Sequence, residues 1–445
     1  MFIVPSRPTL GYRTLKLAGL VQWGHATHTA GMLIAGVLAV VLAACSTDEV
    51  SGMAVKEPVP AGSEGAVVAL MDTGNYSTAP IGPVGPAGAN RDTQGLVEAQ
   101  RMAEFVIGPW VQNSSMVGIG DLIMDSKGTQ PLSGPSNLTF SQVVSDEQAA
   151  VAMAHGFIAG MSTKRVSTKT RGEKLQNAVL RFPDAAAAAS ATGEMAAKRN
   201  LAADVSPTPT SIRDHPEALA ITWTAADSQF VQSFAAYGPF VLYQLAGLPL
   251  NDNYRSVENM VVNTIDKQQR ALDLFEPTEP AKLAELPVDF TGHLLANALR
   301  APDEKAPYMV GAWAPGAWLH FEDDPLKSRT WFSAAGVEAV AQWTTTVYET
   351  KTAEGAASLA DEIAADLDDR AGVGAISGVP GLLSARCFRR TTELVPETAA
   401  QSLQRIGWRF KCVARADRYA FTAFSANETD VKQQISAQYR ILAGE

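Results

Sequence analysis

Apolar residues recur at helical spacing between 94 and 107 (Leu96, Ala99, Met102, Ala103, Val106) and stop at Gly108-Pro109, which predicts a helix there. A second helix is expected over 141–154 and a strand over 157–161, while the short run 66–71 has the look of a buried strand. From 175 the pattern sharpens. LQNAVLRF predicts a strand, Pro183-Asp184 a helix start, and 185–198 an alanine-rich helix. Three strands follow, at 218–223, 231–237 and 240–246, the last two joined by a Gly238-Pro239 turn. An amphipathic helix with Val257, Val261, Ile265, Leu272 and Phe275 near one face closes the unit. The order is β-α-β-β-β-α.

The same order returns after residue 340: a β-branched strand at 344–350, a helix at 353–367, strands at 385–389, 408–414 and 419–425, and a helix at 429–442. FAAYGPFVLYQLAG at 234–247 can be laid on CVARADRYAFTAFS at 412–425, and Lys267-Gln268-Gln269 on Lys432-Gln433-Gln434. The expected fold class is therefore α+β with two related domains, each a small, mostly antiparallel sheet with helices on one face. The Pro- and Glu-rich stretch 275–307 places the boundary near 300, giving domains 66–300 and 301–445.

The first 65 residues follow other rules. AGMLIAGVLAVVLAAC, residues 30–45, is an uncharged apolar run too short to span a bilayer and ends in an aliphatic residue, two small residues and Cys45. That is the pattern of a bacterial lipoprotein leader, in which Cys45 is acylated and becomes the first residue. Residues 1–44 are then a signal peptide and 45–65, rich in Pro, Gly, Ser and charge, a flexible tether. The address is the outer face of the cytoplasmic membrane, with the membrane as partner through the lipid. In that oxidising compartment Cys387 and Cys412 should pair, closing a loop whose constraint contributes on the order of 3.5 kcal/mol.

Composition narrows the rest. The net charge is −10, and the leader carries Arg7, Arg13 and Lys16 with no acid, so the mature chain is more acidic still. Nucleic acid is a poor partner for such a surface. Candidate chemistry is sparse. Asp72-Thr73-Gly74 resembles an aspartic-protease element, but Asn75 follows it and no second such triplet exists. On a strand, His320 and Glu322 would share a face beside Asp323-Asp324, the densest ligand-like cluster. Trp313, Trp318, Trp331 and Trp343 lie close in sequence, and aromatic faces can line a ligand cleft. Neither catalytic residues nor a metal or cofactor site emerges. Trp313, Trp318, His320, Glu322 and Asp72 remain as candidate ligand contacts.

Several runs carry a resemblance: LMDTGNYSTAP at 70–80, EAQRMA at 98–103, HGFIAGMS at 155–162, LQNAVLRFPD at 175–184, GAWLHFEDDP at 316–325, and DRYAFTAFSAN with AQYRIL in the tail. Together they resemble uncharacterised actinobacterial lipoproteins of the mycobacterial type. The resemblance implies a two-domain envelope lipoprotein and supplies no activity. The expectation is a binding or scaffolding module for an unknown envelope ligand or protein. The alternatives are a hydrolase of envelope glycan, lipid or peptide, or a sensor subunit of a membrane complex.

Overall fold

The computed structural model describes residues 65–122, 125–134, 143–199, 201, 205–250, 256–301, 309–396 and 401–444. Cys45 and the expected leader and tether, up to residue 64, lie outside the described residues. Among the described residues no helix is long and apolar enough to cross a membrane.

Among the described residues fourteen strands form two antiparallel sheets. The first holds β1 (Gln130–Leu132), β2 (Ala159–Val166), β3 (Lys174–Arg181), β4 (Thr208–Thr210), β5 (Leu219–Ala225), β6 (Ser228–Tyr237) and β7 (Phe240–Pro249). The second holds β8 (Gly311–Trp313), β9 (Val337–Gln342), β10 (Thr346–Thr350), β11 (Val373–Ile376), β12 (Arg386–Arg390), β13 (Phe410–Ala416) and β14 (Tyr419–Ser425). Strand order is β1-β2-β3-β7-β6-β5-β4 in one and β8-β9-β10-β14-β13-β12-β11 in the other, the same topology twice. Pro131 and Pro209 sit on edge strands, where a missing donor breaks no inner ladder.

Among the described residues the helices longer than the single turn Pro315–Trp318 are α1 (Arg91–Ala103), α2 (Asp146–Ala154), α3 (Ala185–Ala197), α4 (Val257–Leu272), α5 (Pro325–Ala335), α6 (Ala353–Asp368), α7 (Gln401–Ile406) and α8 (Glu428–Ala443). Their starts follow from capping. The side chains of Asn90, Asp184, Ser256, Thr352 and Asn427 each accept a backbone N–H of their own first turn, and Ser145 with Gln148 forms a capping box. The helices cover both faces of each sheet, a correction to the single-faced arrangement expected. β3 and β7 are buried along nearly their whole length, so alternate residues need cover on opposite sides. Leu175 and Val179 face α4, whereas Ala178 and Leu180 face α3.

Register sharpens the repeat and corrects its alignment. The two-residue turns Gly238-Pro239 and Asp417-Arg418 are equivalent, so 234 matches 413, one residue from the match read in the sequence. Gly238 and Asp417 both take the left-handed conformation such a turn needs, with φ of 51° and 47°. The Lys-Gln-Gln echo also moves. On α4, Gln268 Oε1 accepts from Ile107 N at 2.9 Å and Asn177 Nδ2 at 2.8 Å, while its Nε2 donates to Phe105 O at 2.8 Å. On α8, Gln438 Oε1 accepts from Leu299 N at 2.7 Å and from Thr345 Oγ1, and its Nε2 donates to Asn297 O at 2.8 Å. Gln268 therefore pairs with Gln438, each clasping the backbone of the segment that enters its own repeat.

Three further expectations change. Residues 66–71 hold a 3-10 turn, Val68–Leu70, instead of a strand. Ala66, Met71 and Tyr76 pack in the C-terminal half, as do Leu294, Leu295 and Leu299, so each end of the expected domain 66–300 contributes to the other half's core. His320 lies on the 3-10 turn Leu319–Phe321, not on a strand, because Pro315 and Pro325 both start helical turns around it. The largest core cluster runs without a break from the α4 side of the first sheet, through Trp110, Trp313, Trp318 and Phe321, to the α6 side of the second.

Candidate functional site

The aromatic and acidic candidates form a joint between the halves. Trp313 and Trp318 are fully buried, with ring centroids 5.9 Å apart and Phe321 within 5.1 Å of both. Trp313 Nε1 donates to Met309 O at 2.9 Å and Trp318 Nε1 to Glu322 Oε1 at 2.6 Å, so neither indole is offered to a ligand. His320 is buried against Trp110, its Nε2 donating to Ala103 O at 3.0 Å. Burial lowers its pKa to about 4, which keeps the ring neutral.

Each acid after His320 has a structural partner. Glu322 also accepts from Tyr348 Oη at 2.8 Å and Ser328 Oγ at 3.1 Å. Burial would raise the Asp323 pKa, but Arg370, at 2.5 Å, and Lys411 hold it well below the usual carboxylate range. Asp324 caps α5 through Leu326 N and Lys327 N. Among the described residues no three His, Cys, Asp or Glu side chains gather as a metal site.

Asp72 is exposed. It accepts from Gly74 N at 2.9 Å and Gln433 Nε2 at 2.8 Å, and those two bonds, Gln433 first, lower its pKa. Cys387 and Cys412 face each other on β12 and β13 and are disulfide-bonded in the interior of the second half.

Sequence reasoning missed the charges that hold the joint. Arg165, on β2, donates to Val117 O at 3.0 Å, His320 O at 2.8 Å and Glu322 O at 2.6 Å, and burial brings its pKa down to about 10. Glu98, wholly buried on α1, accepts from Arg181, from Arg101 Nη1 at 2.7 Å, and from Thr278 N and Oγ1 at 3.1 and 2.8 Å. One signal was present in each case: a charged residue inside an otherwise apolar stripe requires a buried partner.

Beside the Glu98 cluster lies a cleft of about 470 Å³ at the seam between the halves. Helix α1 contributes Val97 and Gln100 and its C-cap Glu104, the residues after α4 contribute Leu274 and Phe275, and the connector contributes Val288 and Phe290. Ala312 and Ala314 close it from the second half. Gln100 Nε2 donates to Val310 O at 2.8 Å, fixing α1 against β8. That contact is possible because residue 311 is glycine: a Cβ there would come within 2.1 Å of the Gln100 amide, and its φ is 152°. Arg101 lies 5.6 Å over the Phe275 ring and donates to Glu276 O. Leu274 and Phe290 are 74% and 54% exposed at this cleft, apolar surface that packing alone would have covered. Among the described residues the lining includes no His, Cys, Ser, Thr, Tyr or Lys, and its ionisable groups are Arg101, Glu104 and Glu276.

Fold and cleft together define a tandem-repeat α+β protein with a ligand-sized, largely apolar cavity where the repeats meet. Residues 85–288 match the N-terminal domain, and residues 294–445 the C-terminal domain, of a family described as a domain of unknown function, DUF7373. The two matches span most of the chain, and it belongs to the DUF7373 family. No curated protein matches the sequence. Among solved structures, the crystal structure of the extracellular domain of PknH from Mycobacterium tuberculosis is similar over 28% of this chain and 73% of that one, at 16% identity. Its TM-score is 0.21, too low to carry a statement about this chain.

Proposed function

We propose that the protein is a lipid-anchored module of the cell envelope, acylated on Cys45, that binds a small ligand with an apolar body in the seam cleft without turning it over. One observation carries this reading: a cavity of about 470 Å³, within the usual range for small-ligand sites, has mostly apolar walls, and its carboxylates, Glu104 and Glu276, have no His, Ser, Cys or Lys beside them among the described lining residues. The acidic composition disfavours nucleic acid as a partner. The anchor reading is supported by the sequence before residue 46 alone. A hydrolase acting through Asp72 or His320 is disfavoured, because one is held by a glutamine and the other is sealed in the core.

The test uses the chain from residue 46, which lacks the acylated cysteine, and a fluorescent long-chain fatty acid. Saturable binding of one probe per chain is expected. Leu274→Asp and Phe290→Asp, both at exposed positions that leave the core intact, should each weaken it about tenfold or more by placing a charge against the apolar body. Equal affinity in wild type and both variants, or chemical conversion of the probe, would overturn the proposal. Mass spectrometry of the native N-terminus tests the anchor separately, since an unprocessed, unacylated chain would refute it.

A further inference from the structure

The first repeat holds a second cleft, of about 420 Å³, whose chemistry differs from that of the seam. It opens beside the first turns of α4 and is lined by Gln112, Asn113, Glu173, Ser256, Asn259 and Asn263. Met116, Met260 and Leu248 supply its apolar part. Several of these groups are held in place. Glu173 is 1% exposed and accepts from Asn113 Nδ2 at 2.8 Å, while Asn113 Oδ1 accepts from Ser115 N at 3.0 Å. Lys267 Nζ donates to Gln112 Oε1 at 3.0 Å, and Gln112 Nε2 is buried without a hydrogen-bond partner. Asn259 and Asn263 are exposed one turn apart on the same face of α4.

This lining selects a kind of ligand. Amides and hydroxyls both donate and accept, which suits a partner carrying hydroxyl groups. An anion would meet Glu173, and among the described residues no Arg, Lys or His lines the cleft to balance it. A wholly apolar ligand would strip water from the exposed amides of Asn259 and Asn263 and return no hydrogen bond.

The other repeat shows what this helix face accommodates. Counting back from the equivalent glutamines Gln268 and Gln438, Met260, Asn263 and Thr264 of α4 correspond to Asp430, Gln433 and Gln434 of α8. There the face is covered by the protein's own Tyr76. Its ring packs near Leu299, Ala437 and Ile441, its hydroxyl donates to Asp430 at 2.7 Å, and it accepts from Gln434 Nε2 at 3.3 Å. The ring lies over Ala437 and Ile441, whose α4 equivalents Lys267 and Ala271 do not line the cleft, and only its hydroxyl, at Asp430, reaches a position that does, that of Met260. We infer that the α4 cleft binds a neutral carbohydrate, seating one sugar ring on Met260 and Met116 with its hydroxyls on Gln112, Asn259 and Asn263.

The experiment titrates the full chain, held in a detergent without a sugar headgroup, with methyl glycosides of glucose, mannose, galactose and arabinose and with N-acetylglucosamine. Methyl glucuronide serves as the anionic counterpart. Calorimetry and ligand-observed NMR should show saturable binding of at least one neutral sugar at one per chain and weaker binding of the glucuronide. Asn259→Leu and Asn263→Leu, on exposed positions, should each lower that affinity about tenfold, as should Gln112→Leu. Fatty-acid binding at the seam is measured in the same samples and should not change, so that failure at one cleft is distinguishable from failure at the other. Absence of saturation by every neutral sugar, a preference for the glucuronide, or unchanged affinity in the asparagine variants would overturn the inference.

Discussion

His320 sits against Trp110 with Nε2 bonded to Ala103 O, and burial gives it a pKa of about 4 against an ordinary value near 6.5. A histidine whose folded pKa is depressed binds its proton more readily when unfolded. Its contribution to stability is complete above about pH 6.5 and declines as the pH falls toward 4, by on the order of 3 kcal/mol in all. Asp323 is also held below its ordinary range, so its contribution is lost only at more acid pH, beneath the histidine window. Urea midpoints between pH 7 and pH 4.5 should therefore fall steeply in the wild type. In His320→Gln, which keeps a donor for Ala103 O, they should fall less; parallel curves would show that the ring does not titrate this way. The same residue explains why the acidic motif misled. Read alone, His320-Phe321-Glu322-Asp323-Asp324 looks like a ligand set, yet each side chain but the phenyl ring is spent on a neighbour that only the folded chain brings near.

Among the elements, those whose apolar spacing persisted over several turns were legible. α3, α4, α6 and α8 fall within a few residues of expectation, and so do β3, β6, β7, β13 and β14. The three- and four-residue strands β1, β4, β8 and β11 escaped, because alternation cannot be told from chance over so short a run. The repeat was visible as an order of elements but misaligned, since alanine-rich helices match in many registers while the decisive glutamines stand alone in sequence. Their role makes a prediction at this scale. Replacing Gln438 by Leu removes the partners of Leu299 N and Asn297 O, both bonded to its amide, and should cost about 2–4 kcal/mol of unfolding free energy. Gln268→Leu should cost a similar amount through Ile107 N and Phe105 O. Denaturant titration reads both, and a loss under 1 kcal/mol in either would refute the shared role. The seam cleft was not legible at all, because its walls come from α1, the end of α4, the connector and β8, and no periodic pattern links segments so far apart.

For the whole molecule, the consequential feature is that the two repeats do not own separate interiors. One cluster of buried side chains joins Val261, Leu272 and Phe275 of the first half to Trp318, Phe332 and Leu359 of the second. Arg165 crosses the same joint to bond the backbone of His320 and Glu322, and Ala66, Met71 and Tyr76 leave the N-terminal end to pack in the second half. Neither family-matched half, 85–288 or 294–445, therefore contains everything that covers it. Cutting the chain at 290 would expose the shared face on both pieces and take from Arg165 the carbonyls of His320 and Glu322, leaving it Val117 O, a penalty that a domain with its own closed core would escape. The intact protein should unfold in one calorimetric transition with a van't Hoff enthalpy close to the calorimetric one. Each half made alone should bind a hydrophobic dye and melt without a cooperative step, and residues 66–290 produced together with 291–445 should recover the single transition. Two resolved transitions in the intact chain, or a sharp melt from either half alone, would show that the repeats fold independently and that the seam cleft lies between domains free to separate.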